Sequence, residues 1–516
     1  MKTTRILASI ILGTLLSFTS AHVQAAGGLT PPPGPPAPTM KSLDEIYNCF
    51  EKRTRITALP AVINTDGSYF LDADLNIAAA GVNGITLAAT VKKVAIDLGG
   101  RSLSGLPGTG HGIDASAMTG GTVAIRNGTL SGFGGDAVRA PACRVLAADL
   151  EIYDQGGRGI ACGDDSEFTR ILSKNSGGTA IQGGARMTGT GLKITGSHGK
   201  GVTVTRDLTL TQSEFRGCQQ TACECPDGYM APDHCFFAAN AATCIVFGGL
   251  RVTIKDCVFS DNLVDCVECP QGNLAASDSS FSGNAGICIQ ALNASIFGCG
   301  FTPPHSGTAP IATGPAQVSH STFSNSPPSF ITFSGDGTVV SDCIFTGGNV
   351  YVGNGVVVTD SAFSNPGNTS NTALVTGDNC SVTNCTVTGG KKGQGIAGSG
   401  IEVGANSLVK NCVVGKCEGH GIVIRARCSA LQNVVCNCGI TVASDAAGIR
   451  CDAGPATIDG NSTTQNDIGI DLAGASTTVI RNKISLNTTA IQGSAGNDVA
   501  PSSPAATAVN PFSNFP

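Results

Sequence analysis

A short sequence unit recurs eight times between about Val252 and Val414. Each copy places an apolar residue, usually phenylalanine, about 22 residues after the previous one, which is the length of one solenoid coil. The aligned residues are Phe259, Phe281, Phe301, Phe323, Phe345, Phe363, Val387 and Val414. The repeat therefore restricts the chain to a fold of stacked, similar coils.

Within each unit the residue pattern predicts strands rather than helices. Apolar and polar residues alternate, as around Val252 and Ile254, and the 3.6-residue period of a helix is absent. One Asp, Asn or Gly per unit suits a tight corner between two short strands. Similar segments continue before and after the clear repeat, so we expect an all-β solenoid of about 18 coils.

The remaining segments predict an exported protein with a capped solenoid. Residues 1–26 have the basic start, apolar stretch and small-residue cleavage site of a signal peptide, and residues 27–40 form a Pro-rich linker. Residues 41–58 predict an N-terminal capping helix that covers the first coil. The solenoid is expected over 59–496, with a C-terminal tail over 497–516.

Composition limits the partners and the location of the protein. Charged residues make up only 13% of the chain and the formal net charge is −6, so nothing suggests a nucleic-acid partner. After the signal, no apolar run approaches the roughly 18 residues that a membrane span needs. We therefore expect no integral membrane segment and a secreted protein, whether extracellular, periplasmic or on the cell surface. The oligomeric state stays open.

Several segments resemble the right-handed parallel β-helix proteins of the pectate-lyase-like superfamily, in particular its secreted, largely uncharacterised bacterial repeat proteins. The likeness rests on the segment from Ile96 to Gly105, the Asp/Asn-Cys-x-Phe coils and the ending from Asn510 to Phe515. It implies a right-handed parallel β-helix that covers almost the whole mature chain. It leaves the activity open, because members of this superfamily include lyases, glycosidases, epimerases and binding proteins.

Two groups stand out among the 22 cysteines. Some share one coil position and mostly lie two coils apart, beyond disulfide reach, so they predict small core residues. A second group crowds a predicted protruding loop at about 216–244 and the segment after it, where disulfides are the favoured interpretation. The disulfide candidates are Cys218, Cys223, Cys225, Cys235, Cys244, Cys266 and Cys269. A metal site with His234 is a weaker alternative.

Three motifs superficially match those of polygalacturonases, whose paired carboxylates act on one sugar bond. They are Asn64-Thr65-Asp66, Asp164-Asp165 and Gly419-His420-Gly421. Several to many coils separate them, so their acids cannot meet at one bond. The Gly-His-Gly strings also fit a recurrent turn, in which Gly supplies a bend and the following Ile enters the core.

This turn fixes which side chains point outward on the strand that follows it. The residues just after each inward Ile form a row of outward-facing side chains. This row is charged at both ends of the solenoid and uncharged in the middle, where Tyr351 is a candidate to stack on a sugar ring. The best cluster predicts catalytic roles for Arg425, Arg450 and His420, with substrate binding by Glu402, Asp452 and Asp471. Asp114 and Arg139 form a second candidate for substrate binding, which rests on fewer residues. The alternative for all of them is a surface ladder of ion pairs that keeps the sheet soluble.

Two functions therefore remain. The first is a secreted β-helix that engages an extracellular polysaccharide along its parallel sheet, in a manner that would suit a lyase or an epimerase. The second is a non-catalytic structural or adhesive surface protein. The shortage of exposed aromatic residues favours the second. No metal site is predicted, although calcium is compatible with the fold.

Overall fold

The computed structural model describes residues 53–302, 311–324, 330–364, 372–390, 398–439, 446–502 and 510–515. Throughout these residues the regular structure is β-strand, and no helix occurs in them. Strands pair in parallel with the strand one coil later, except that Ile311–Thr313 is not paired with Phe330–Phe333. The described chain is a right-handed parallel β-helix of about 18 coils, which confirms the solenoid that the repeat predicts and the fold that the resemblance implies. Three sheets form its faces, and they are called here the first, second and third sheet.

The first sheet follows the Gly-Ile turn and carries the predicted site residues. Its strands are Ala61–Ile63, Ile85–Leu87, Ile113–Asp114, Val138–Ala140, Ile160–Cys162, Ile181–Gln182, Val202–Thr203, Cys223–Cys225, Ile245–Phe247, Ile311–Thr313, Phe330–Phe333, Asn349–Val352, Leu374–Thr376, Ile401–Glu402, Ile422–Ile424, Ala447–Cys451, Ile468–Leu472 and Thr489–Gln492.

The second sheet comes next in each coil, and several of its strands bend into a neighbouring sheet. They are Arg53–Ile56, Gly67–Leu71, Lys93–Ser104, Thr122–Ser131, Arg144–Tyr153, Glu167–Lys174, Ala185–Thr190, Arg206–Thr211, Tyr229–Asp233, Arg251–Lys255, Val267–Ser277, Ile289–Phe297, Ala316–Ser319, Val339–Ser341, Val357–Thr359, Ser381–Thr383, Leu408–Lys410, Ser429–Leu431, Thr457–Asp459, Thr478–Ile480 and Asp498–Val499.

The third sheet completes each coil with mostly three-residue strands. They are Leu75–Asn76, Lys193–Thr195, Glu214–Arg216, Phe236–Ala238, Val258–Ser260, Ser280–Ser282, Gly300–Thr302, Thr322–Ser324, Ile344–Thr346, Ala362–Ser364, Thr386–Thr388, Val413–Gly415, Val434–Cys436, Ser462–Thr464 and Lys483–Ser485.

A column of phenylalanines on the third sheet fills the centre of the solenoid. Eight rings stack from Phe215 to Phe363, with centroids 4.8–5.1 Å apart and planes within 8° of parallel. All eight are buried. The spacing equals the separation of adjacent parallel strands, so the repeat period places each ring directly over the one before it.

The corner between the second and third sheets turns on one residue with left-handed backbone. In the repeat region this position holds Asp, His, Asn or Gly, for example Asp256, Asp278 and Asn384 at φ of 49°, 51° and 57°. These residue types tolerate positive φ best. The next residue points inward and forms a polar ladder, in which Asn433, Asn461 and Asn482 bond coil to coil at 2.9 Å.

Three predicted boundaries need correction. Arg53–Ile56 is a strand paired with Gly67–Leu71, so the end of the predicted capping helix is wrong there, and residues 41–52 lie outside the described residues. The strand Asp498–Val499 extends the solenoid beyond residue 496. Residues 216–244 form regular coils rather than a protruding loop, because Phe237 stacks on its neighbours in register.

Candidate functional site

The predicted cluster lies on the first sheet towards the C-terminal end of the described solenoid. Parallel pairing aligns Glu402 with Val423, Val423 with Arg450, and Arg450 with Asp471 on successive coils. Arg425 and Asp452 follow two residues after the aligned positions on their own coils. The backbone register therefore brings all the predicted residues onto four consecutive coils. We call Glu402, His420, Arg425, Arg450, Asp452 and Asp471 the charged patch.

Both arginines of the charged patch face carboxylates. The Nη2 atom of Arg425 lies 2.7 Å from Oε1 of Glu402. The Nε atom of Arg450 lies 2.5 Å from Oδ1 of Asp452, and its Nη1 lies 3.6 Å from Oδ2 of Asp471. Arg425 is exposed, whereas Asp471 is buried. The patch is thus an ion-pair network of three carboxylates and two guanidinium groups, in which Arg425 is the exposed arginine.

His420 is a buried member of this network. Its Nδ1 accepts a hydrogen bond from the backbone N–H of Ala447 at 2.9 Å, and its Nε2 lies 3.4 Å from Nη1 of Arg450. An imidazole nitrogen that accepts a hydrogen bond has no free lone pair for a substrate proton. Because Nδ1 accepts, the neutral ring carries its proton on Nε2, so neither nitrogen of His420 offers a free lone pair in this arrangement.

Two features of the site were missed or misplaced by the sequence. The outward row places Val423, not Arg425, between Glu402 and Arg450. Tyr351 lies two coils before Glu402 on the same sheet, and burial and the negative charge of Glu402 both raise the pKa of its hydroxyl. The alternation pattern identified Tyr351 as outward-facing, but the sequence could not show that it is half-buried.

The second predicted pair, Asp114 and Arg139, lies on the same sheet near the N-terminal end of the described chain. The two residues are aligned on adjacent coils. They form no ion pair within 4.0 Å, because Asp114 accepts hydrogen bonds from Asn83 and from the amide of Ser116 instead. Arg139 lies beside His111, with its Nη1 2.9 Å from the histidine Nε2.

One cluster of side chains has metal-ligand geometry. Single ligand atoms of Asp233, His234 and Asp256 all lie within 4.8 Å of one another. The groups are exposed or half-buried, and Lys255 approaches Asp256 to 3.7 Å. The mixed N and O donor set suits a borderline transition metal better than calcium, which prefers oxygen. An ordinary surface network explains the same contacts, so we assign no metal.

The candidate disulfide cysteines are buried free thiols in the described structure. Cys235 belongs to the same core column as Cys257, with its amide 3.4 Å from the Cys257 sulfur. Burial raises the pKa of Cys218 to about 12 and that of Cys225 to about 11. These cysteines therefore share the core environment that the sequence predicted only for the other group, and the structure shows no disulfide among them.

The motifs that superficially match polygalacturonases serve as turns. Asp66 accepts hydrogen bonds from the amides of Lys92 and Lys93 at 2.7 and 3.0 Å, and these bonds hold its pKa below the usual value. Asp164 accepts from the amide of Ala185 at 2.8 Å. Each carboxylate thus joins two coils, as the turn interpretation predicts.

A groove of about 470 Å³ lies on the second sheet near the N-terminal end of the described chain. Small residues such as Ala95 and Ala124 form its floor, and Asp97 is shared by Arg53 at 3.3 Å and Arg126 at 3.0 Å. Its charges are internally paired. The groove contains no residue of the charged patch, so it offers a separate surface and no support for that site.

This chain matches a known protein family. The family described as the right handed beta helix region matches residues 180–323 and 314–489, which together cover more than half of the chain. The chain belongs to the right-handed β-helix family. No curated protein is similar enough in sequence to count as a match.

Solved structures similar to this chain include three epimerases. The A-modules of mannuronan C-5 epimerases AlgE4 and AlgE6 of Azotobacter vinelandii are each 14% identical. The AlgE4 match covers 74% of this chain and 91% of that chain with a TM-score of 0.20, and the AlgE6 match covers 87% and 90% with a TM-score of 0.15. The periplasmic alginate epimerase AlgG is 9% identical over 84% and 77%, with a TM-score of 0.16. Likenesses this low carry no argument about activity.

None of the described residues lies in a helix that is long and apolar enough to cross a membrane.

Proposed function

We propose that this protein is a secreted β-helix that binds an extracellular polysaccharide across the charged patch on its first sheet. The observation that carries the proposal is the concentration of charged hydrogen-bonding groups on four consecutive coils of one face. Exposed Arg425 and half-buried Arg450 can each donate to sugar hydroxyls or to a uronate carboxylate, and the acidic residues can accept from hydroxyls. Tyr351 adds a half-buried aromatic ring on the same sheet, two coils before Glu402.

The contacts of the patch support binding more strongly than turnover. A lyase or an epimerase removes the proton next to the uronate carboxylate, so it needs a base with a free lone pair as well as a cation that neutralises the carboxylate. Arg425 and Arg450 supply cations, but the Nδ1 lone pair of His420 is engaged by Ala447. We therefore assign Arg425 and Arg450 to binding and assign no catalytic role to His420.

Co-sedimentation with a panel of uronic-acid and neutral polysaccharides tests the proposal. The full chain is expected to sediment with at least one polymer, and the double variant Arg425→Ala, Arg450→Ala is expected to lose most of that binding. Arg481→Ala is the matched control, because Arg481 is a similarly exposed arginine that pairs with Asp459 on the second sheet of nearby coils. Circular dichroism of each variant checks that the β-fold is intact.

The same incubations separate the other functions. Ultraviolet absorbance of unsaturated products would show a lyase, and a changed uronate composition by NMR would show an epimerase. Either result would return a catalytic role to the patch. Absence of binding to every polymer, or equal binding by the double variant, would reject the proposal and favour a structural or adhesive rod.

A further inference from the structure

Arg139 differs from the other half-buried arginines in the described parts of the chain. Arg53, Arg158 and Arg450 each lie within 4.0 Å of a carboxylate oxygen. Arg139 has no such partner among the described residues, although it is equally withdrawn from water. A guanidinium is always charged, and a charge taken partly out of water is costly unless it is paired. The missing countercharge therefore needs an explanation.

A second hydrogen-bond donor faces the guanidinium of Arg139. The Nε of Arg139 is buried without a hydrogen-bond partner among the described residues. Its Nη1 lies 2.9 Å from Nε2 of His111, whose Nδ1 accepts from the backbone N–H of Asp136 at 2.8 Å. Because Nδ1 accepts, the neutral ring carries its proton on Nε2 and presents it to the guanidinium. Two donor groups thus converge on one place.

The nearby carboxylates are committed to other partners. Asp114 accepts from the side chain of Asn83 at 2.8 Å and from the Ser116 amide at 3.0 Å. Asp136 receives the Arg158 guanidinium at 2.8 Å. On the coil after Arg139 the aligned residue is Ala161, which offers no carboxylate to the guanidinium. An acceptor for Arg139 must therefore come from outside these side chains.

We propose that Arg139 and His111 form an oxyanion-binding subsite on the first sheet, remote from the charged patch. The occupant accepts hydrogen bonds from Nη1 of Arg139 and from Nε2 of His111. A sugar carboxylate and a free inorganic oxyanion share this chemistry. The carboxylate source rests on the proposed polysaccharide binding, whereas the subsite itself does not. The same His–Arg contact recurs at His420 and Arg450, but there Asp452 supplies the countercharge.

Titration of the full chain with sodium D-glucuronate, sodium phosphate and sodium sulfate tests the subsite. Each titration uses sodium chloride at equal ionic strength as its reference and follows the unfolding temperature, with saturation-transfer NMR for glucuronate. At least one oxyanion is expected to raise the unfolding temperature of the wild type. Arg139→Gln is expected to weaken that binding by at least about tenfold, the scale of a lost charged hydrogen-bond pair.

Two further variants make the result specific. Arg170→Ala removes an exposed arginine that is paired with Asp149 about one coil away, and it should bind as the wild type does. Arg139→Lys keeps the charge and loses the planar guanidinium, so it should bind with intermediate affinity, and it replaces Arg139→Gln if that variant does not fold. Equal affinity of the wild type and the Arg139 variants for all three anions, or no binding by the wild type, would overturn the proposal.

The outcomes also separate this subsite from the charged patch. Preference for glucuronate supports a sugar carboxylate, and equal or stronger binding of phosphate or sulfate supports the subsite with an inorganic occupant. The Arg425→Ala, Arg450→Ala variant should keep oxyanion binding at Arg139. If polysaccharide binding fails while this binding persists, the proposed function fails and the subsite stands.

Discussion

The role of an arginine in this protein depends on the groups that it contacts more than on its position in a coil. A His-Gly-Ile turn lies one coil before Arg450 and another lies one coil before Arg139. Each arginine lies near the Nε2 atom of the histidine in that turn. Arg450 also reaches Asp452, whereas Arg139 reaches no carboxylate among the described residues. The same local arrangement thus gives a neutralised surface group in one place and an unbalanced charge in the other. The neighbouring residues decide between them, since Pro141 and Ala161 occupy the positions at Arg139 that Asp452 and Asp471 occupy at Arg450.

Buried thiols lead to a prediction at the same scale. Desolvation raises the pKa of Cys162, Cys299 and Cys343 to about 11, against an ordinary value near 9. The thiolate is the reactive form, so these groups should react with a thiol reagent at pH 8 only after unfolding. Titration with a chromogenic disulfide should find few accessible thiols in the native protein and many more in guanidinium chloride under non-reducing conditions.

The same pKa shifts determine whether the free energy of unfolding rises or falls with pH. A thiol whose folded pKa is raised contributes stability that is fully present below pH 9, and this stability is lost as pH rises from about 9 to about 11. Urea unfolding midpoints should therefore fall over that window, and Cys299→Ser should reduce the fall. Rapid native labelling at pH 8, or a midpoint unchanged between pH 9 and 11, would contradict the burial of these thiols.

The stacked strands explain how much of the architecture the sequence predicts. The period of the phenylalanines identified the coil length, and the corner residues located the turns, because both are repeated by every coil. The segment 216–244 misled the sequence interpretation, since its cysteines suggested a loop while Phe237 keeps the register. Arg425 was misplaced because the pattern marks the parity of a residue, and two outward positions on one strand share the same parity.

The aromatic column predicts where an element is most sensitive to substitution. Phe281 is buried between Phe259 and Phe301, with ring centroids 4.8 and 4.9 Å away. Phe281→Ala should leave a cavity bounded by two rigid coils and cost about 3–5 kcal/mol of unfolding free energy. Equilibrium urea unfolding measures the loss.

Two controls make that prediction sharp. Phe281→Leu keeps most of the volume and should cost clearly less than the alanine variant. Ser280→Ala changes the neighbouring exposed residue on the same strand and should have an effect within about 0.5 kcal/mol. A loss of unfolding free energy below about 1 kcal/mol for Phe281→Ala would show that the stacked phenylalanines contribute little to the stability of the core.

At the scale of the whole molecule, each coil stabilises only its neighbours, so the ends of the stack need their own cover. Residues 510–515 provide it at the C-terminal end of the described solenoid. Phe515 bonds to the backbone of Asn482 and Ile484 at 2.7 and 2.6 Å. Buried Asn514 accepts from the Asn482 amide at 3.0 Å and so continues the asparagine ladder by one more step. The last coil is thereby closed by an edge segment with its own paired backbone.

Removal of residues 510–516 should therefore loosen the last coils and leave the rest intact. Amide hydrogen exchange is expected to accelerate over 478–485, where the backbone loses these partners, and to stay unchanged around Phe281, because opening spreads from an end by one coil at a time. Deletion of Pro516 alone is the control and should leave both regions protected. Faster exchange throughout the chain would show that the coils unfold as one cooperative unit, and unchanged exchange over 478–485 would show that residues 510–515 do not protect the end of the stack.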